Sequence, residues 1–194
     1  MSDPTATKTF PLLPVLEERR SPRAYSSTDV LTPESLGSAF EAARWSPSSG
    51  NSQPWSFVVG FRGDETFNTI AGTLASGNVI WADKASALVA NIARVESEEG
   101  KALSHAVYDL GQAVAHFSVQ ATADGLFVHQ MGGYDADALG HALGLDSRHR
   151  VVTVMTVGTL GDVQDLPENL QEREQAQRVR LPLSDLVSGS AHYA

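Results

Sequence analysis

SPSSGNSQPW, residues 46–55, sets six small or polar residues between Pro47 and Pro54 and runs directly into the apolar series Phe57, Val58, Val59. Proline, glycine, serine and asparagine interrupt regular structure and leave hydroxyls, amides and backbone N–H groups without a local ladder to join. A loop so rich in donors that leads straight into a buried strand is of the kind that surrounds a ligand.

Reading outward, WSFVVGF (55–61) has the β-branched and aromatic content of a strand. Upstream, Thr32-Pro33 opens a helix with a capping residue and a proline at the first helical position; Leu36, Ala39, Phe40 and Ala43 form its apolar face, and it ends near Trp45. Pro14 to Arg19 predicts a short helix stopped by Ser21-Pro22, because the residue before proline avoids the α region. Downstream, Asp64 caps a helix to Leu74, and residues 85–95 predict a second strand. The longest helix is expected over Ser104–Asp124, with Val107, Leu110, Val114, Phe117 and Ala121 at spacings of three and four and Gly125 ending it. Leu126–His129 predicts a strand, Asp137–Leu143 a helix and Arg150–Thr159 a β-branched strand. Helices and strands mix irregularly, and no glycine fingerprint follows the first strand. The pattern therefore predicts an α+β fold and not a dinucleotide-binding doubly wound sheet.

The 194 residues suit one domain spanning 1–194, with 42% hydrophobic and 19% charged residues. No run of eighteen apolar residues suggests a membrane partner, and MSDPTATKTF lacks the apolar core of a secretory signal, so a cytoplasmic location is expected. With no cysteine there is no disulfide, thiolate nucleophile or cysteine-held metal, so redox chemistry must come from a cofactor. A net charge of −9 argues against nucleic acid, which needs a basic face. Arg19-Arg20-Ser21-Pro22-Arg23 and Arg178-Val179-Arg180 nevertheless concentrate donor forks suited to an anion such as phosphate. On composition alone, two solvated surface clusters are the favoured reading. His105, His116 and His129 have no metal-ligand spacing, and Ser48 and Ser49 lie in no nucleophile elbow. Trp81 and Tyr108 suit either a substrate cavity or packing in a core or subunit seam.

Taken in order, RRSPRAY (19–25), LTPESL (31–36), SPSSGNSQPW (46–55), Gly132-Gly133-Tyr134-Asp135 and RVRLPL (178–183) resemble the FMN-dependent nitroreductase family over residues 15–183. The resemblance implies a mostly antiparallel sheet flanked by helices, in an intertwined homodimer with FMN at the subunit interface. Residues 1–10 and 188–194 are then flexible or in contact with the partner. By the same resemblance, Arg19, Ser21, Arg178 and Arg180 meet the phosphate and ribityl chain, and Arg20 assists through its backbone. Pro47, Ser48, Ser49 and Asn51 belong to the loop beneath the flavin. Gln130, Met131, Gly132 and Gly133 handle the N5/O4 edge, with glycine at 132 where some members carry an acidic residue. Arg23 lies near the pyrimidine edge, where a fixed cation stabilises the reduced ring.

The activity so implied is that of an oxidoreductase that takes hydride from NADH or NADPH and reduces a nitroaromatic, quinone or similar small-molecule substrate, with no protein side chain needed as acid or base. The same fold also hosts dehydrogenation, dehalogenation and flavin breakdown. A flavin-binding protein with little turnover is the alternative from another class.

Overall fold

The computed structural model describes residues 10–190. The expectation of flexible or partner-contacting ends falls mainly on residues 1–9 and 191–194, outside the described residues.

At the centre lies β2 (Ala87–Arg94), buried along its length as far as Ala93. Its alternation sends Ala87, Val89 and Ala93 into one core cluster and Leu88, Ala90 and Ile92 into the other, as the two-residue period of a strand requires. On one side it pairs with β1 (Trp55–Phe61), from Trp55 opposite Ala93 to Phe61 opposite Ala87. On the other it pairs with β4 (His149–Gly158), with a register shift between Asn91 and Ile92. The strand β3 (Phe127–Met131) closes the order β1-β2-β4-β3 as an edge. All three pairings are antiparallel, so the expected α+β class holds.

One face of the sheet is covered by α2 (Gly37–Arg44) and α5 (Ala106–Ala123), which bury Leu36, Ala39, Ala43, Leu110, Val114 and Phe117 against Val89 and Met155. The opposite face receives α3 (Glu65–Ala71), α4 (Ser76–Ala82) and α6 (Ala136–Ala142), with Phe67, Ile70, Trp81 and Leu139 packed on Leu88, Ala90 and Val154. Expected caps are realised: Asp64 Oδ1 accepts from the Phe67 N–H at 2.6 Å, and Gly125 leaves α5 at φ 78°. Gly60 is required by α3, because a Cβ there meets the Phe67 backbone nitrogen at 2.2 Å.

Three helices have no counterpart in the pattern reading. In α4, glycine, asparagine and two β-branched residues have weak helix propensity, and burial of Trp81 to 1% exposure stabilises it instead. The polar α7 (Glu168–Gln175) buries only Leu170, and α8 (Leu183–Leu186) is one turn long. Near the chain's two ends, α1 (Pro14–Glu18) is flanked by exposed Leu12 and Leu13, while Val179, Leu181 and Leu186 stand exposed on the C-terminal segment. Among the described residues no helix is long and apolar enough to cross a membrane.

Candidate functional site

The helix α1 ends where Ser21-Pro22 forbids another turn, and its last carbonyls lack intrahelical donors. Arg178 supplies them: Nη1 donates to the Glu17 carbonyl and Nη2 to the Arg19 carbonyl, both at 2.8 Å. A guanidinium that satisfies carbonyls retains its full charge. Burial, followed by the proximity of Arg178 and Arg180, holds the Arg19 guanidinium below the usual arginine range. Arg180 donates Nη1 to the Val179 carbonyl at 2.7 Å. Among the described residues no ion pair reaches Arg19, Arg178 or Arg180. Three like charges are thus gathered without a counter-charge in an acidic chain.

The neighbouring arginines behave differently. Glu174, near the end of α7 and with a side chain only 4% exposed, accepts from the Arg23 backbone N–H at 3.0 Å and from Arg23 Nη1 at 3.3 Å. Arg20 Nη2 lies 3.7 Å from the same carboxylate and donates to the Glu174 carbonyl at 3.1 Å. Arg20 therefore contributes its guanidinium to this junction, where a backbone role was expected of it. Arg23 also stands 6.0 Å from the Trp81 ring, within cation–π range. Ser21, between the two groups, is exposed.

Behind Arg23 the chain is fixed by His129, whose Nδ1 donates to the Pro22 carbonyl at 2.9 Å and whose ring lies 4.6 Å from Trp81. Burial is the main cause holding the His129 pKa down, so the imidazole is neutral there. Thr156 Oγ1 donates to the hydroxyl of buried Tyr25 at 2.8 Å, and burial pushes that phenol well above the ordinary tyrosine range. A cavity of about 350 Å³ opens beside Arg23, floored by Tyr25, Trp81 and Leu166. Trp81 is a core residue, whereas Tyr108 is exposed at the start of α5.

The 46–55 loop adopts left-handed backbone at Gly50, Asn51 and Gln53, with φ of 58°, 54° and 44°. Such conformations are costly for residues other than glycine and persist where surroundings impose them. Here α5 anchors the start of the loop. Asp109, 2% exposed, accepts from the Ser49 N–H at 3.0 Å, and His116, two turns along the same helix, bonds Ser46 Oγ at 2.7 Å. Ser48 Oγ accepts from the Gln53 N–H at 3.0 Å, and Arg94 Nη2 holds the Ser52 carbonyl at 3.0 Å. Pro47, Ser49 and Asn51 remain exposed.

At the end of β3, Gln130 is exposed and its amide reaches Ser118 Oγ at 3.5 Å, while Met131 packs into the core at 3% exposure. Gly133 offers its carbonyl to Asn78 Nδ2 at 2.9 Å and to the Ala75 N–H at 3.0 Å. A Cβ on Gly133 meets Asn78 Nδ2 at 2.8 Å, but one on Gly132 meets nothing within 4 Å. Gly132 therefore borders open space. Hydrogen bonds and ion pairs unite Arg19, Arg20, Arg23 and Arg178 with the C-terminal segment; among the described residues none joins that group to the 46–55 loop.

Glu174 and Asp109 went unread in the sequence. Glu174 sits in a run of glutamates and glutamines with nothing to single it out. Asp109 carried a usable signal: it is a charged residue within the repeat of α5 that faces the core.

The model of the nitroreductase family matches residues 16–78. An uncharacterised 15.4 kDa protein of Mycolicibacterium smegmatis, encoded in the ask 5′ region, is 36% identical over 139 residues, covering 68% of this chain and 92% of that protein. A crystal structure described as an oxidoreductase containing FMN superposes with a TM-score of 0.90 at 31% identity, over 100% of this chain and 98% of the other. A protein from Exiguobacterium sibiricum 255-15, solved in complex with FMN, has the same fold with a TM-score of 0.74 at 22% identity, over 96% and 100% of the two chains. This chain belongs to the nitroreductase family.

Proposed function

We propose that this protein is an FMN-dependent oxidoreductase that takes hydride from NADH or NADPH and reduces an electron-poor small molecule, such as a nitroaromatic or quinone, in a ping-pong cycle. One observation carries the reading: Arg19, Arg178 and Arg180 converge with no ion-paired carboxylate among the described residues, in a chain of net charge −9. Such a group needs an anion. A terminal phosphate monoester supplies two negative charges and several acceptors to rigid donor forks, so the donor set fits FMN. The presence of FMN in the 31% identical relative supports the same assignment.

When bound, FMN supplies the two-electron chemistry that a chain without cysteine or a metal-holding cluster among its described residues does not offer. The chain's own residues then bind and orient. Arg19, Arg178 and Arg180 would hold the phosphate, and Arg23 would present a cation to the ring. Gly132 would leave room for the ring, and exposed Asn51 in the strained 46–55 loop would offer it an amide. In this reading a homodimer completes the site. Exposed Leu12, Leu13, Val179 and Leu181 give such a homodimer apolar surface to bury. Stopped-flow mixing of the FMN-loaded protein with NADH and with NADPH tests the activity: bleaching of the oxidised flavin band within seconds is expected, and no bleaching with either leaves a flavin-binding protein.

A further inference from the structure

We infer that Glu174 is a positioning residue that sets the electron affinity of the site by holding Arg23 and tempering its charge. The inference rests on the reading that FMN binds with its ring beside Arg23. Four observations lead to it. The Glu174 side chain is 4% exposed although it lies on a helix whose other charged residues are exposed. One of its oxygens, Oε1, receives both the backbone N–H and the guanidinium of Arg23, fixing the residue at two points. Its second oxygen faces Arg20. Its charge also reaches Tyr25 and His129, so it is not confined to one surface pair.

A buried carboxylate in this setting acts in two opposed ways. It keeps Arg23 in one place, which a cation needs if it is to favour the reduced over the oxidised ring. It also cancels part of the field that Arg23 projects, because a counter-charge at 3.3 Å screens the cation for everything beyond the pair. The triad of Arg19, Arg178 and Arg180 keeps its full charge. Glu174 thus divides the arginines into an uncompensated group for the permanently charged phosphate and a compensated one where charge appears only on reduction. It lies four residues before Arg178 in sequence, so the segment that fastens onto α1 also delivers the carboxylate.

Glu174→Gln preserves an acceptor for the Arg23 N–H and removes the charge; Glu174→Asp keeps the charge but draws it back from Arg23. The measurement is the midpoint potential of bound FMN by spectroelectrochemical titration, beside FMN dissociation constants, in wild type, both variants, Arg23→Ala and Arg23→Ala/Glu174→Gln. Glu174→Gln is expected to raise the preference for reduced over oxidised flavin about tenfold, which for a two-electron couple is about 30 mV upward. Glu174→Asp should shift it in the same direction by less, and keeps the test open if the glutamine variant fails to fold. In the Arg23→Ala background the glutamine substitution should lose more than half of its effect. Unchanged or lowered potentials in variants that bind FMN overturn the inference. So does an equal shift without Arg23, which places the carboxylate's influence directly on the ring. Wild-type protein that binds no FMN removes the cofactor reading itself, a result distinguishable from both.

Discussion

Arg178 crosses 159 positions of sequence to donate its Nη2 to the Arg19 carbonyl at 2.8 Å. The bond joins the first helix to the C-terminal segment at the point where three cations meet. Arg178 therefore has a structural and an electrostatic role, while Arg180, bonded only to its neighbour's carbonyl, has the second alone.

Arg178→Ala should destabilise the cofactor-free protein by about 1–2 kcal/mol, whereas Arg180→Ala should change it by less than about 0.5 kcal/mol. Both should weaken FMN, each by about tenfold or more from loss of a charge-assisted contact, with Arg178→Ala the larger effect. Urea unfolding of the apoprotein and fluorescence titration with FMN separate the two. Equal stability losses from both substitutions contradict the division.

Asp109→Ala strips the Ser49 N–H of its partner and should cost about 1.5–3 kcal/mol, the range for hydrogen bonds to charged groups. Asp109→Asn, which retains an acceptor, should cost less. Because the loop holds left-handed residues against their preference, the alanine variant should also be cleaved faster by protease within residues 46–54 than elsewhere. A cleavage pattern identical to wild type means that α5 does not restrain the loop.

Gly60 and Gly132 should respond oppositely to a side chain. Gly60→Ala drives a methyl into the Phe67 backbone and should cost more than about 3 kcal/mol or prevent folding. Gly132→Glu projects into open space, so its melting temperature should stay within about 2 °C of wild type. Thermal unfolding followed by circular dichroism checks both, and a strongly destabilised Gly132→Glu means that the space at the end of β3 is filled.

His129 gives the fold an acid sensitivity of defined sign. Its pKa is depressed in the folded state mainly by burial, with Arg23 acting in the same direction and the Pro22 carbonyl and Glu174 against it. The unfolded chain therefore takes up this proton first. Stability should fall as pH drops below the ordinary histidine value of about 6.5 and level off once the folded-state pKa is passed. Exposed Asp146, held at about 2 by His149 and Arg148, and Glu41, held at about 2 by Arg44 and Trp45, lose their contributions only in the carboxylate range below. Urea unfolding at pH 7.5 and 5.5 should show the loss in wild type and a smaller one in His129→Gln. An equal loss in the variant assigns the sensitivity to other groups.

Apolar and β-branched content made most of the sheet legible, and apolar spacings of three and four made the long helix so. These signals failed at α4, where a single tryptophan outweighs poor helix formers, and at α7, where one leucine anchors a polar helix. The arginine groups were visible as composition. Their division was not, since the carboxylate that divides them comes from a helix 151 positions away from Arg23. Asn91 marks another limit: its Nδ2 bonds Thr153 while its Oδ1, buried in the central strand beside the register shift, has no partner among the described residues.

The long-range fastening of Arg178 to α1 also fixes when, in the life of the molecule, its arginine group comes together. Among the described residues all four strands are complete by Gly158, so the sheet and both helical layers packed on it precede Glu174 and Arg178 in the order of synthesis. Until Glu174 and Arg178 emerge, Arg20 and Arg23 lack their carboxylate and α1 lacks its cap. A chain that stops short of Glu174 then keeps the sheet but leaves its arginines undivided.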